Sequence, residues 1–448
     1  MTTYQGTIQT LTPDGDGAFV DARGCTVSIP GTLPGETVQY RIAHVSPHEK
    51  RVWAVSCGLM TPSPERQKPR CETCYPVNGL CGGCPIMHMS AKLQASFKKD
   101  IVLNALRSAG INYIHDLEYH EAPAPFGYRN RTDLVVGLAQ GRPILGSYEP
   151  RSHRIIPTRH CPILRQPLNQ VMDAVTRLIA KEHIPVYEFG RMMRGALRYI
   201  SFFANDAGDV LVDFVVSSDE RATPNWVMRF ANDLKNTFSR IKGVSFSIND
   251  TVNNAIRIAP SQILWGERTL DEHYGSLITK LSASGFTQLN SDIAAQIYRT
   301  ARDWFERPAR VVWDLYCGAG AFGRTMAPSS ALYGAEFSTT AIDTAKQLAQ
   351  TDPWQSQYEV MDLEKQWPNW PKPDVILLDP PRKGLSQLVI DHLAKHNDTD
   401  IFYMSCNPES FAKNLAKLDP NYEILRIAAF DMMPQTRHVE VLAHLKHR

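Results

Sequence analysis

Val375-Ile-Leu-Leu-Asp-Pro-Pro-Arg-Lys-Gly384 and Ile401-Phe-Tyr-Met-Ser-Cys-Asn-Pro408 decide how this chain folds. Each opens on a short apolar run suited to a buried strand and then breaks at proline. In an open parallel sheet, ligands bind beyond the carboxyl ends of the strands. The two runs therefore bring Asp379 and Cys406 to one rim, a carboxylate beside a thiol. Working outward, strands and helical patterns alternate from Phe286 onward, through Val311-Val-Trp-Asp, Leu332-Tyr-Gly-Ala-Glu, Val375 to Asp379 and Ile401 to Met404. This is the pattern of an α/β doubly wound, Rossmann-like sheet. A closing pair, Ile424 to Phe430 and Val439 to Leu445, is expected as its antiparallel edge.

The 448 residues leave room for several domains. Residues 1–58 read as a small β-barrel, with alternating stretches such as Gly17-Ala-Phe-Val-Asp21 and Thr37-Val-Gln-Tyr-Arg-Ile between Gly-, Pro- and Asp-rich turns. Residues 59–95 form a cysteine-rich segment behind the linker Thr61-Pro-Ser-Pro. Residues 96–280 read as a central α+β domain, and 281–448 as the doubly wound domain. Ser90 to Ala109 has helical periodicity and stops at Gly110. The net charge is only +2, but Thr61 to His160 holds thirteen Lys/Arg against eight Asp/Glu, which fits an RNA-facing surface. Met1-Thr-Thr-Tyr-Gln-Gly leads straight into a strand pattern, and no apolar run reaches membrane-spanning length. A cytoplasmic monomer is expected, its nine cysteines suited to metal or catalysis rather than disulfides.

Asp314-Leu-Tyr-Cys-Gly-Ala-Gly-Ala-Phe-Gly323 sits between a strand and a helix. Gly318 and Gly320 let the backbone turn tightly and approach a ligand. Glu336 ends the next apolar run, where an acid can accept both hydroxyls of a ribose, and Asp362 follows a third strand. S-adenosylmethionine suits this order. Gly323 also completes a Gly-x-Gly-x-x-Gly spacing, so on the glycines alone a nicotinamide cofactor stays open.

Asp379-Pro-Pro-Arg382, Ser405-Cys-Asn-Pro408, Pro434-Gln-Thr-Arg-His-Val-Glu440 and Phe286-Thr-Gln-Leu-Asn290 together resemble the RNA uracil-5 methyltransferase family. Gly31-Thr-Leu-Pro-Gly-Glu36 adds a resemblance to the TRAM domain, an oligonucleotide-binding type of barrel that meets single-stranded nucleic acid. The resemblance implies S-adenosylmethionine contacts at Gln288, Tyr316, Glu336, Asp362 and Asp379. It implies Cys406 as the nucleophile, Glu440 as the general base, and Arg382 against the uracil edge or a phosphate. Such chemistry needs a thiolate because carbon 5 of uracil is a poor nucleophile until a group adds at carbon 6. A base must then remove the carbon 5 proton. The target base has to be flipped out or single-stranded to reach Cys406. Two departures from the family pattern are apolar: Ala321 stands where Asn is common, and Met433 where Phe is usual. Cys317 beside the glycine loop reads as packing.

Cys71-Glu-Thr-Cys74 and Cys81-Gly-Gly-Cys84 could hold a closed tetrahedral zinc. The family resemblance instead implies three of these thiols and a distant fourth around a [4Fe-4S] cluster. Gly146-Ser-Tyr…Ser152-His…Cys161 matches the family's pattern for that fourth ligand. The implied set is Cys74, Cys81, Cys84 and Cys161, with Cys71 as the alternate to Cys74. Cys25 and Cys57 read as barrel packing. Relatives with both the barrel and the cluster act mostly on 23S rRNA, which is the expected substrate. A uridine of the tRNA T-loop is the alternative. A catalytically inactive, zinc-containing RNA-binding protein is the alternative of another class. A DNA cytosine-5 enzyme does not fit, because its nucleophile follows proline and Cys406 follows Ser405.

Overall fold

The computed structural model describes residues 2–77, 79–150, 152–188, 195–217, 224–251, 255–326 and 330–448. Three large sheets carry the chain, together with one small hairpin. The N-terminal sheet has six strands in the order Tyr4–Thr7, Thr37–Val45, Arg51–Thr61, Thr26–Ile29, Gly17–Val20 and Thr10–Leu11. Alternation along these strands buries Ile8, Phe19, Val27, Ile29, Val38, Tyr40, Val52 and Ala54 together. Cys25 packs against that core. Cys57 does not, in contrast to the sequence expectation. It sits on the outer half of the long strand Arg51–Thr61, exposed beside the Arg41 guanidinium at 3.0 Å. That half of the strand runs past the core with Val55, Ser56 and Cys57 all exposed, and the pairing skips Cys57 at a register shift.

The central sheet runs Ile155–Pro157, Arg142–Tyr148, Arg131–Ala139, Leu197–Ala204, Val210–Val216, Ile241–Ile248 and Gln262–Gly266. Helices Leu168–Lys181 and Pro224–Thr237 pack on one face, over Leu134, Val136, Ile200, Phe202 and Phe214. The opposite face is polar. Asp133, Ser201, Asp213, Ser245 and Arg257 interlock there, and Arg257 reaches the Ala283 carbonyl. Arg131 from the same face bonds the Gly285 carbonyl. This network fastens the central sheet to the segment that leads into Gln288.

The C-terminal sheet has eight strands: Ser356–Val360, Ala331–Glu336, Val311–Leu315, Val375–Leu378, Asp400–Ser405, Glu440–His447, Tyr422–Phe430 and Glu118–His120. The first five are parallel, and Glu440–His447 enters antiparallel. Order reverses between Val311–Leu315 and Val375–Leu378, which marks the crevice where such sheets bind ligands. The closing pair is antiparallel, but it is not the edge. Glu118–His120 adds outside it, parallel to Tyr422–Phe430. The helix Ala91–Ser108 is also packed on this sheet, through Val102 and Leu106. Residues 91–120 therefore belong physically with the C-terminal sheet and not with the central one. The hairpin Leu270–Tyr274 and Leu277–Leu281 likewise buries Leu270, Tyr274 and Leu281 in the C-terminal core. Their apolar partners lie on that sheet, and a boundary drawn from local pattern cannot sense this.

The helix Ala91–Ser108 begins where Ser90 accepts the Leu93 amide and ends just before Gly110 at φ +82°. Its buried Lys98 donates to Asp431 at 2.5 Å and to the Met433 carbonyl at 3.0 Å. Removing one partner of a buried ion pair leaves the other charge uncompensated. Lys98→Ala is therefore expected to cost about 3–5 kcal/mol of stability in urea unfolding. A loss below about 1 kcal/mol would show that the pair is not holding this helix to the loop.

Candidate active site

The geometry around Cys406 follows from strand register. Asp400–Ser405 pairs antiparallel with Glu440–His447, with Ser405 opposite Val441. Cys406 follows Ser405 and Glu440 precedes Val441, so the two stand together at the end of this pairing and act on each other electrostatically. Burial and then the Glu440 charge push the Cys406 thiol up to about 11, while Arg382, hydrogen-bonded to it, pulls the other way. Glu440 is 3 % exposed. Burial raises its carboxyl to about 8, again opposed by Arg382.

Arg382 is held at both ends. Asn407 Nδ2 and Ser410 Oγ each donate to its carbonyl at 3.0 Å. Its Nη2 donates to His438 Nδ1 at 3.3 Å. Burial, followed by Arg382, Arg437, Lys98 and Arg129, lowers His438 to about 4, which keeps that nitrogen an acceptor. His438 and Asn407 were not read as site residues, although both stand inside motifs that were quoted. The signal available was their adjacency to Glu440 and Cys406.

The sheet's switch point holds the rest. Asp379 accepts from Gln288 Nε2 at 3.2 Å. Burial, then Glu440, Asp314 and Glu336, raise the Asp379 carboxyl well above the usual range. Asp314 itself is raised to about 7 by burial and caps the amide of Gly323 at 2.8 Å. Glu336 accepts the amides of Gly318 at 3.3 Å and Ser338 at 2.9 Å. Asp362 lies within electrostatic reach of Tyr316, but its carboxylate is engaged by Lys365 at 2.8 Å. Tyr316 adopts φ +64° and its buried hydroxyl has no partner among the described residues. Gly318, at φ +54°, faces open space. Cys317 is buried in the core. A crowd of carboxyls beside an open glycine turn suits a flat, hydroxylated ligand that carries positive charge.

The five cysteines gather at a second place. Cys74 and Cys84 are buried, and Cys71 and Cys161 pack beside them with Met87, Tyr128, Ile163 and Met433. Cys74 Sγ approaches the Cys84 carbonyl at 3.2 Å, and the backbone of Cys74 pairs with that of Cys81 in an isolated parallel β-bridge. Asn169 clamps Cys161 through its amide at 2.9 Å and its carbonyl at 3.0 Å. Among the described residues, no group of three or more His, Cys, Asp or Glu is close enough to hold a single metal ion as it stands.

These couplings give the Cys406 thiol a signed pH dependence. Its alkylation by iodoacetamide, followed on the Cys406 peptide by mass spectrometry, should be slow at pH 7 and rise steeply toward pH 10. Glu440→Gln removes the negative charge that Glu440 carries above about pH 8 and should speed the reaction severalfold at pH 9. Arg382→Ala removes the positive one and should slow it. Equal rates in all three proteins would mean that the groups do not share one site.

The tRNA (Uracil-5-)-methyltransferase family model matches residues 369–448. An uncharacterized RNA methyltransferase of Halalkalibacterium halodurans is 30 % identical over 98 % of this chain and 96 % of its own length. One of Oceanobacillus iheyensis is 29 % identical over 99 % and 96 %. The fold is shared with the crystal structure of the Pyrococcus abyssi tRNA (uracil-54, C5)-methyltransferase in complex with S-adenosyl-L-homocysteine. That match has a TM-score of 0.77 at 24 % identity, over 99 % of this chain and 100 % of that one. With the switch-point crevice and the Cys406–Glu440 pair, these likenesses identify the chain as a member of the S-adenosylmethionine-dependent RNA (uracil-5-)-methyltransferases.

Proposed function

We propose that this enzyme methylates carbon 5 of one uridine in 23S rRNA through a transient bond between Cys406 Sγ and carbon 6 of the base. The observation that carries the reading is the pair Cys406 and Glu440, with Arg382 against the thiol. Arg382 favours the thiolate. Its attack on carbon 6 forms a C–S bond and moves the ring's double-bond electrons toward O4, making carbon 5 nucleophilic. S-adenosylmethionine supplies the methyl group when bound. Gln288, Tyr316, Glu336, Asp362 and Asp379 would hold it, and the partnerless Tyr316 hydroxyl and crowded carboxyls support that fit. Glu440 then takes the carbon 5 proton, the electron pair restores the ring double bond, and the C–S bond breaks to release the thiolate. Glu440 must be ionised for this, and its raised affinity for protons makes it an effective base near pH 8.

Two buried thiols, Cys74 and Cys84, with the half-buried Cys71, Cys81 and Cys161 within electrostatic reach of Cys84, support a [4Fe-4S] cluster, whose positive iron would replace their protons. Cys74, Cys81, Cys84 and Cys161 would hold it. Cys74 is favoured over Cys71 because it is 1 % exposed and already against Cys84. The cluster would supply structure, tying the basic segment to the sheet, because methyl transfer consumes no electrons. The reading of 23S rRNA rests on the six-stranded N-terminal sheet and these cysteines, traits of the rRNA-directed members that the sequence resembles. A tRNA T-loop uridine is the second reading, favoured by the whole-chain fold match to the Pyrococcus abyssi enzyme.

Cys406→Ala should abolish methylation and leave S-adenosylhomocysteine affinity intact. Glu440→Gln should stall after methyl transfer, leaving RNA attached to protein as a slow band on a denaturing gel. Lost activity with no such band would assign Glu440 another role. Anaerobically purified protein should be brown and contain about four irons per chain, and Cys161→Ser should lose them. Stoichiometric zinc, indifferent to Cys161→Ser, would replace the cluster with a local zinc site and leave the methyl transfer untouched.

A further inference from the structure

The polar face of the central sheet continues past the network that meets the cofactor segment. Arg131, at one end of the strand Arg131–Ala139, donates to the Gly285 carbonyl, three residues before Gln288. Four residues along that strand, about 13 Å away, Val135 lines a cavity of about 360 Å³ with Tyr148, Tyr187, Glu188, Arg198 and Tyr199. Alternation assigns its side. Leu134, Val136 and Ile200 face the helices, so Val135 and its partner Tyr199 face the same way as Asp133 and Ser201. The cavity and the Gln288 end of the strand thus share one surface.

The lining has a specific chemistry. Arg198 is 3 % exposed, and its guanidinium lies 4.6 Å from the Tyr187 ring centre and 5.7 Å from that of Tyr199. Its two terminal nitrogens donate to the Asn249 and Thr251 carbonyls. Its buried Nε–H has no partner among the described residues. Glu188 also lines the cavity, but among the described residues no carboxylate forms an ion pair with Arg198. A buried cation with a spare donor favours a ligand rich in acceptors. The rings favour one with flat faces, and Tyr148 keeps 37 % of its surface in water to receive it.

We propose that this cavity binds an unpaired nucleobase of the substrate RNA, outside the methylated uridine, stacking it on the tyrosines and meeting its acceptor edge with Arg198. The site rests on the RNA reading given above and adds to it a second point of grip. It would fix the strand's register, so that one uridine reaches Cys406 and its neighbours do not.

The test measures anisotropy of a fluorescein-labelled single-stranded RNA oligonucleotide on the full chain, with S-adenosylhomocysteine affinity as the check on folding. Tyr187→Ala and Tyr148→Ala should each bind the RNA about tenfold more weakly. Tyr187→Phe, which keeps the ring, should bind like the parent protein, and cofactor affinity should be the same in all. Annealing the RNA to its complement should erase the difference between parent and alanine variants. If both alanine variants hold the single strand as tightly as the parent, the nucleobase site is wrong and the methyltransferase reading stands. If the parent protein itself binds no RNA, both fall together.

Discussion

The meeting of Cys406 with Glu440 depends on one strand pairing, that of Asp400–Ser405 with Glu440–His447. Side chains alternate between faces along a strand, so a slip of one residue would turn Glu440 away from Cys406 and place Val439 or Val441 there. The register is secured by burial. Ile401, Phe402, Tyr403, Met404, Val441, Leu442 and Ala443 are all essentially inaccessible to water, and a slip would exchange the contents of the two cores on either side of the sheet. The polar pair His444–Asp400, at 2.8 Å, pins the far end. Hydrophobic packing thus sets where a thiol and a carboxyl meet, and their isolation from water sets how they ionise.

The loop between the two closing strands distributes this constraint to the rest of the chain. Asp431 and Met433 hold Lys98. Gln435, in the left-handed region at φ +71°, exchanges amide bonds with Gln94 and accepts from the amide of Ile86 next to the cysteines. Tyr128 donates to the Pro434 carbonyl at 2.9 Å, and Arg437 reaches Asp14 of the N-terminal sheet. The loop then delivers His438 to Arg382 and Glu440 to Cys406. Segments that carry no reacting atom, the cysteine-rich stretch among them, therefore bear on the reaction through a handful of backbone and amide contacts.

Much of this was legible in the sequence, for physical reasons. The helix Ala91–Ser108 announced itself by its apolar periodicity and the glycine that stops it. The buried parallel strands are short β-branched and aromatic runs broken by proline or glycine, a pattern that no surface helix produces. Cys406, Glu440, Asp379 and Gln288 sit in contiguous motifs, and register and sheet order bring them together. What stayed hidden depends on partners far away in sequence. Glu118–His120 is too short to declare itself, and its place in the sheet comes from pairing with Ala428 to Phe430. Lys98 looks like any exposed lysine on an amphipathic helix until Asp431 arrives, 333 residues later. The cavity around Arg198 is assembled from four separate stretches, and of these only the one with Tyr148 lies in a recognisable pattern, which points to Cys161 rather than to a cavity. Cys57 lies where its strand extends past the core and both faces meet water, which residue type alone does not reveal.

The claim on which the rest stands is that Cys406 and Glu440 together install a methyl group on carbon 5 of an RNA uridine. The most direct measurement is mass-spectrometric mapping of 5-methyluridine in ribosomal and transfer RNA from cells carrying the intact chain or its Cys406→Ala variant. One 5-methyluridine of the large-subunit ribosomal RNA should vanish in the variant, with the transfer RNA unchanged. Loss confined to transfer RNA would keep the chemistry and move the substrate. Identical 5-methyluridine maps from both cells would contradict the claim itself.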